Sequence, residues 1–203
     1  MTNKRVQKFR SIEEMNNSPI RREDFESSSG AGSACNPHGP AMKETCLHCG
    51  RPLDEHDRHI RFKLPEPVLD IPKEERQPRT WGNDVLMQVK DLGSFVRILI
   101  PVKLTGGYTV TFSGWLSVQS DDLRRAWEVW TDEELYPQLR LKGVLANMLP
   151  SWESETYIKP LETAVLNPEH TPYAVDSSDD FMRRVLQDEW PHQFVLSAIA
   201  PYE

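Results

Sequence analysis

Residues 94–119 read SFVRILIPVKL, then TGG, then YTVTFSGWLSVQ. Two apolar, β-branched runs flank a short loop with two glycines. Glycine reaches positive φ at little cost, so Thr105-Gly106-Gly107 predicts a hairpin turn. In the second run Tyr108, Val110, Phe112 and Leu116 alternate with Thr109, Thr111, Ser113 and Ser117. That period of two describes a strand with one buried and one wetter face. Trp115 falls on the face opposite Phe112. It is either exposed, and then marks a patch for a protein partner, or covered by a helix.

The same pattern extends upstream. VLMQV at 85–89 is a third strand, joined to the hairpin by KDLG at 90–93. The three strands form a meander. Downstream the period changes from two to 3.6. Leu123, Ala126, Trp127 and Trp130 fall at i, i+3, i+4 and i+7, one apolar stripe of a helix facing the sheet. Ser120 is its expected cap, with Asp121 and Asp122 at the favoured end of the dipole. Thr131 and Glu134 have capping-box spacing and open a short helix. LKGVLANML at 141–149 reads as another, ended by Pro150. TYIKP and LETAVLN (156–167) read as two strands. Ser178 caps a helix over DDFMRRVLQDEW, with Phe181 and Val185 inward, and FVLSAIA closes the chain as helix or strand. Strands followed by helices, without a βαβ rhythm, predict an α+β fold: an antiparallel β-meander with packed helices.

Ahead of this body, spanning 81–203, the chain changes character. Residues 60–80 carry prolines at 65, 67, 72 and 78, which predicts an extended segment across the surface, pinned by Leu64, Val68, Leu69 and Ile71. Residues 1–45 mix charge with Ser, Gly and Pro and have no sustained apolar period, so a disordered leader is expected. Its SIEEM stretch could form a short helix on a partner.

Between them, at 46–80, lies the segment that carries chemistry. All three cysteines (Cys35, Cys46, Cys49) and four of six histidines (His38, His48, His56, His59) lie between residues 35 and 59. Cys46-x2-Cys49-Gly50 has the form of a zinc knuckle: two thiolates on a tight turn that glycine lets close. Structural zinc takes four ligands. His56 and His59 complete a compact C-x2-C-x6-H-x2-H set, with Asp54, Glu55 and Asp57 placed to bond the imidazoles. Cys35 and His38 offer the other completion, C-x2-H-x7-C-x2-C, from within the Ser/Gly/Pro stretch. A redox role for C-x-x-C fits less well, because Gly-Arg-Pro follows it where a thioredoxin-type pair would open a helix.

Charge and composition bound the partners. The chain has 203 residues and a net charge of −7. Residues 1–62 carry 10 basic and 9 acidic side chains, the rest 14 and 22, so the acidity sits on the body. An acidic body opposes nucleic-acid coating, despite a local stripe of Arg51, Arg58, Arg61 and Lys63. It suits a protein partner with a basic face, although Asp121–Asp122, Asp132–Glu134 and Asp179–Asp180 also fit helix N-termini. No apolar run reaches the roughly 18 residues of a membrane span, and no secretory signal opens the chain, so a cytoplasmic protein is expected. No nucleophile elbow, phosphate loop or dinucleotide fingerprint occurs. His170 and His192 read as loop histidines bonded locally.

In combination, C46-L-H-C-G50, the Pro-rich segment, FSGWLSVQSDDLRRAWEVW, GVLANMLPSW and NPEHTPYAVD resemble a bacterial domain-of-unknown-function family, number 2199, over about residues 46–188. The family pattern shows C-x-x-C-G, a W-x-S-L-like strand end, a helix ending in Leu-Trp, G-x-L-x-N-x-L-P and H-P-L-A. Here H-P-L-A becomes His170-Thr171-Pro172-Tyr173-Ala174, one residue longer, and the histidines after the knuckle come later. The resemblance implies an architecture and a knuckle, and no reaction. Three functional readings follow. The first is a non-enzymatic interaction or accessory module with structural zinc on Cys46, Cys49, His56 and His59. The second is a zinc enzyme with an open coordination position, and the third a nucleic-acid-binding knuckle. No catalytic residue is assigned.

Overall fold

The structure, a computed structural model, describes residues 58–199. The leader and the knuckle residues Cys46, Cys49 and His56 lie outside the described residues, and so do Cys35 and His38. In chain order the elements are β1 (Arg58–Arg61), α1 (Glu66–Leu69), α2 (Lys73–Arg79), β2 (Thr80–Gly82), β3 (Leu86–Val89), β4 (Gly93–Leu104) and β5 (Tyr108–Val118). Then come α3 (Ser120–Val129), a 3-10 turn (Tyr136–Gln138), β6 (Arg140–Leu145), β7 (Pro160–Ala164), β8 (Tyr173–Asp176), α4 (Asp180–Gln187), β9 (Glu189–Trp190) and α5 (His192–Ile199). Helices and a strand-rich sheet make this α+β, as read from the sequence.

The hairpin is the backbone of the fold. β4 and β5 pair antiparallel from Ser94↔Val118 to Leu104↔Tyr108, around a turn where Gly106 and Gly107 take φ of 89° and 82°. The expected meander is present, with β3, β4 and β5 antiparallel in succession, and β2 adds a further antiparallel strand beside β3. It does not stay open. β5 pairs with β6, β6 with β7, β7 with β8, and β8 returns to β4, closing a five-stranded barrel. The closing seam is thin: one parallel pair, Leu99↔Tyr173, and a hydrogen bond from Leu99 N to Pro172 O at 2.8 Å. β1 lies parallel to β5 at residues 110–113, along the edge whose far end, 116–117, carries β6.

Closure gives the hairpin two buried faces. The inner one places Val96, Ile98, Ile100, Val102, Val110, Phe112 and Leu116 in the main core, with Leu123 and Ala126 of α3 and Val185 of α4 packed against them. The outer face has its own smaller core, in which Phe95 and Trp115 pack with Met87, Val89, Leu64, Val68 and Ile71. Trp115 is therefore fully buried and is no exposed partner patch.

Several other local expectations are corrected. The proline-rich segment is helical, not extended: Pro65 and Pro72 sit at the caps of α1 and α2, where a missing N–H costs nothing. Leu64, Val68 and Ile71 pin it, while Leu69 is exposed. Residues 140–145 form β6 rather than a helix. Their buried leucines, Leu141 and Leu145, are four apart, a spacing both periods allow, and the edge of β5 decides between them. Residues 156–158 form turns and Pro160 already opens β7, so 156–167 hold one strand. Caps shift by one residue. Asp179, not Ser178, accepts from Met182 N, and Asp132, not Thr131, accepts from the amides of Glu134 and Leu135. Gln119 rather than Ser120 precedes α3, without a side-chain cap. Of FVLSAIA, the described residues 194–199 lie in helix α5. Among the described residues no helix is long and apolar enough to cross a membrane.

Candidate functional site

Four strands place one continuous rung of side chains on the outside of the sheet. Arg61 of β1 pairs with Ser113 of β5, Ser113 with Leu99 of β4, and Leu99 with Tyr173 of β8. Paired residues share a face, and residues two apart on one strand do so too. His59 and Thr111 therefore join this face on one side, Arg97 and Trp115 on the other. Ile60 and Phe62 point the opposite way, toward the main core, where Phe62 stacks on Phe112 with centroids 6.3 Å apart.

Arg97 is the most constrained polar group on this face. It is 3% exposed, and its guanidinium lies 4.2 Å from the ring centroid of Trp115. Nε donates to the carbonyl of Asp84. Nη1 donates to Phe62 O at 3.0 Å, to Ser113 O at 3.3 Å and to Ser113 Oγ at 3.3 Å, and Nη2 to Lys63 O at 3.5 Å. One fork thus ties the end of β1, the turn before β3 and the middle of β5. Burial pushes its pKa down to about 9, with Arg61 adding in the same direction and Asp84 opposing, so the charge is kept at neutral pH. The neighbouring Arg61 pairs with Asp84 at 2.5 Å in the open.

Asn147 plays the complementary part. It is fully buried, its Oδ1 accepts from Trp115 N at 2.8 Å, and its Nδ2 donates to Leu64 O at 2.9 Å. Arg97 and Asn147 fasten residues 62–64 to the barrel wall from two sides. The segment that leads out of the knuckle region is thus built into the sheet, not draped over it.

The histidines follow. His59 is solvent-accessible at the start of β1. Desolvation by the surrounding protein, then the charges of Arg61, Arg97 and His170, hold its imidazole below the usual histidine range. The shift favours the neutral imidazole, the form that can donate a lone pair to a metal. His170 sits on the exposed loop before β8, with Nδ1 2.5 Å from Tyr173 Oη, and its carbonyl accepts from Tyr136 Oη at 2.6 Å. Burial raises the Tyr136 pKa, so that phenol stays a donor. Glu169, its sequence neighbour, bonds through its amide to Asn167 Oδ1 at 2.9 Å. His192 is buried and bonded to Thr105, Nδ1 to Oγ1 at 3.2 Å, at the far end of the hairpin.

Of the four ligands expected from spacing, His59 alone is among the described residues, and it stands on the sheet. Among those residues no group of three or more His, Cys, Asp or Glu is gathered as a metal site. Sequence reasoning missed Arg97, Asn147 and the Tyr136–His170–Tyr173 chain. A charge amid the apolar run FVRILI of 95–100 was the available signal for Arg97. Asn147 stands in Gly143-x-Leu145-x-Asn147-x-Leu149-Pro150, quoted there only for its likeness to a family pattern.

No curated protein and no solved structure matches the chain. Residues 45–185 match the family described as "Uncharacterized protein conserved in bacteria (DUF2199)", from the knuckle through the barrel and into α4. That match spans more than half of the sequence and takes in both the C-x-x-C-G and the outer face, so the chain belongs to the DUF2199 family.

Proposed function

We propose that this protein is a zinc-stabilised accessory module, whose acidic barrel engages a basic protein partner and whose knuckle serves structure rather than catalysis. The zinc is held by the thiolates of Cys46 and Cys49, by His59, and by one further histidine, His56 being the nearest in sequence. The observation that carries this reading is the position of His59. It belongs to β1, which is hydrogen-bonded to β5 and followed at once by the carbonyls that Arg97 grips. An ion joining Cys46 and Cys49 to His59 would therefore moor the knuckle to the barrel wall. The cationic Arg61 and Arg97 nearby suit thiolate ligands. The barrel interior is filled by aliphatic and aromatic side chains, a core rather than a substrate cavity.

Metal content tests it. Purified protein is expected to hold close to one zinc per chain, and Cys46→Ser to lose it together with part of the thermal stability. Metal-free protein as stable as the loaded form, or turnover of a substrate by water on the zinc, would overturn the structural role.

A further inference from the structure

We infer that the surface made by α1 and the chain at 148–158, with Leu69, Met148 and Ile158 rimmed by Glu66, Asp70 and Glu153, docks a short amphipathic segment of a protein partner, apolar along one side and carrying lysine or arginine. The inference rests on the basic-partner reading above and gives it a place. It is independent of zinc.

Two stretches far apart in sequence meet here. The amide of Glu66 donates to Ala146 O at 2.8 Å, and the amide of Met148 donates to Glu66 Oε1 at 3.5 Å. Leu149 N donates to Thr156 Oγ1 at 3.1 Å and Ile158 N to Leu145 O at 2.9 Å, which holds 156–158 against 145–149. From this joint three large apolar side chains reach solvent: Leu69 is 46% exposed, Met148 38% and Ile158 59%. Glu66, Leu69 and Asp70 are three and four positions apart, so they share one face of α1 and its end. Single exposed apolar side chains need no explanation, but a group on adjoining segments with a polar rim marks an interaction surface.

Ile158 is the sharper sign. Its φ is 60°, in the left-handed region that a β-branched residue rarely enters. Glycine or asparagine would hold that backbone at lower cost. Hydrogen bonds on both sides fix it there, Ile158 N to Leu145 O and Leu145 N to Lys159 O, both at 2.9 Å. A strained backbone that presents isoleucine to solvent serves nothing inside the fold, and such outliers gather at binding sites.

The platform beneath is rigid. Val68 and Ala146 are buried in the outer core, and Asn147 is bonded to Trp115 N and Leu64 O. A segment that docks here meets a surface already ordered, which lowers the cost of binding.

Charge selects the occupant. Glu66 and Asp70 flank Leu69, and Glu153 and Glu155 stand exposed or half-exposed on the turn between Met148 and Ile158. Among the described residues no cation is paired with any of these four carboxylates. Arg76, close by, turns its guanidinium to the carbonyls of Ile71 and Leu69, both at 2.9 Å. Burial, then the charges of Glu66 and Asp70, push the Tyr157 phenol up, so it stays a donor. A lysine- or arginine-bearing segment supplies the missing positive charge while its apolar side covers Leu69, Met148 and Ile158. Anionic surfaces, nucleic acid and lipid headgroups among them, are repelled.

The test pans a random dodecapeptide library, displayed on phage, on the full-length protein. Enriched peptides are expected to combine apolar residues with two or more lysines or arginines. A synthetic copy of the consensus is expected to bind Asp70→Lys and Ile158→Gly about tenfold more weakly than wild type. For Leu135→Ser, an exposed leucine elsewhere on the barrel, the change is expected to stay within about twofold. Ile158→Gly should melt no lower than wild type, because glycine suits the left-handed backbone, so its loss of binding is not a loss of fold. Basic peptides that bind the Asp70 and Ile158 variants as tightly as wild type, or a clearly lower melting temperature in Ile158→Gly, would overturn the inference and leave the basic-partner reading standing. Enriched peptides without lysine or arginine, or no enrichment at all, would remove that reading and the inference with it.

Discussion

Removing the Arg97 side chain would strand the carbonyls of Asp84, Phe62 and Lys63 in a site that water reaches poorly. Arg97→Ala is expected to cost about 3 kcal/mol, the scale of one or two buried acceptors left unpaired. Arg97→Lys keeps the charge but loses the fork and should recover only part of that. Urea unfolding reads both, as a lower midpoint at unchanged slope. Asp179 gives a second test. It caps α4, and its bonds to Lys159 Nζ and Met182 N hold its carboxyl below the ordinary 3.8. Because the unfolded chain binds that proton first, the contribution is complete above the unfolded value. It is lost as pH falls from 3.8 through the folded value. Asp179→Asn, which can still cap, should show a shallower acid limb in its stability profile, whereas Asp179→Ala should lose about 1 kcal/mol at neutral pH as well. A steeper acid limb in the Asn variant would contradict this assignment. These residue-level features were the least legible beforehand. Period and propensity mark Arg97 as a charge inside a strand, but its acceptors come from segments 13 to 35 residues away.

At the scale of elements, legibility followed local determination. The hairpin was readable because its turn chemistry and its alternation both lie within about 25 residues. β6 was not, because Leu141 and Leu145 satisfy either period and the deciding partner, β5, is distant in sequence. Gly143 marks that decision: a Cβ there would overlap the carbonyl oxygen of Ser117, so β6 can approach β5 only with glycine at this position. Gly143→Ala is expected to destabilise by about 1–3 kcal/mol, seen as a lower melting temperature with far-UV signal retained. No loss would mean that the strands separate there at little cost. The helical entry segment is a second case. Proline breaks a helix from within but starts one well, and four prolines over 65–78 said nothing of which role each takes. Trp115 shows how the segment holds. Trp115→Ala, at the centre of the outer core, should cost about 3–5 kcal/mol. It should also raise hydrogen exchange over 64–79 ahead of the barrel strands. Uniform exchange changes would show instead that the outer core and the barrel open as one unit.

Across the whole molecule, the fold class was legible and the closure was not. An α+β arrangement follows from the order of periods. A barrel needs β8 to return to β4, and that contact is a single pair in a parallel seam, with no hairpin to announce it. Amide exchange at Leu99 and around Tyr173 is accordingly expected to exceed that of the β4–β5 ladder. Of the cysteine–histidine set read from the sequence, His59 alone falls among the described residues, and its place on the sheet was not legible. The face on which His59 stands is assembled from four strands drawn from residues 58 to 176.

β4 serves β5 along one edge and β3, β8 and β9 in succession along the other. It therefore acts as the ruler of the protein. Side chains on a strand alternate, so losing or gaining one residue between Gly93 and Leu104 would exchange the barrel lining for its exterior from that point on. Ile98, Ile100 and Val102 would face outward, and three neighbours would lose register together. The turn at 105–107 lies beyond that constraint, with Gly106 and Gly107 exposed. Among members of the family, insertions and deletions are thus expected at this turn and in the loops around residues 150–159 and 166–171. The twelve residues of β4 are expected to keep their number even where their identities drift.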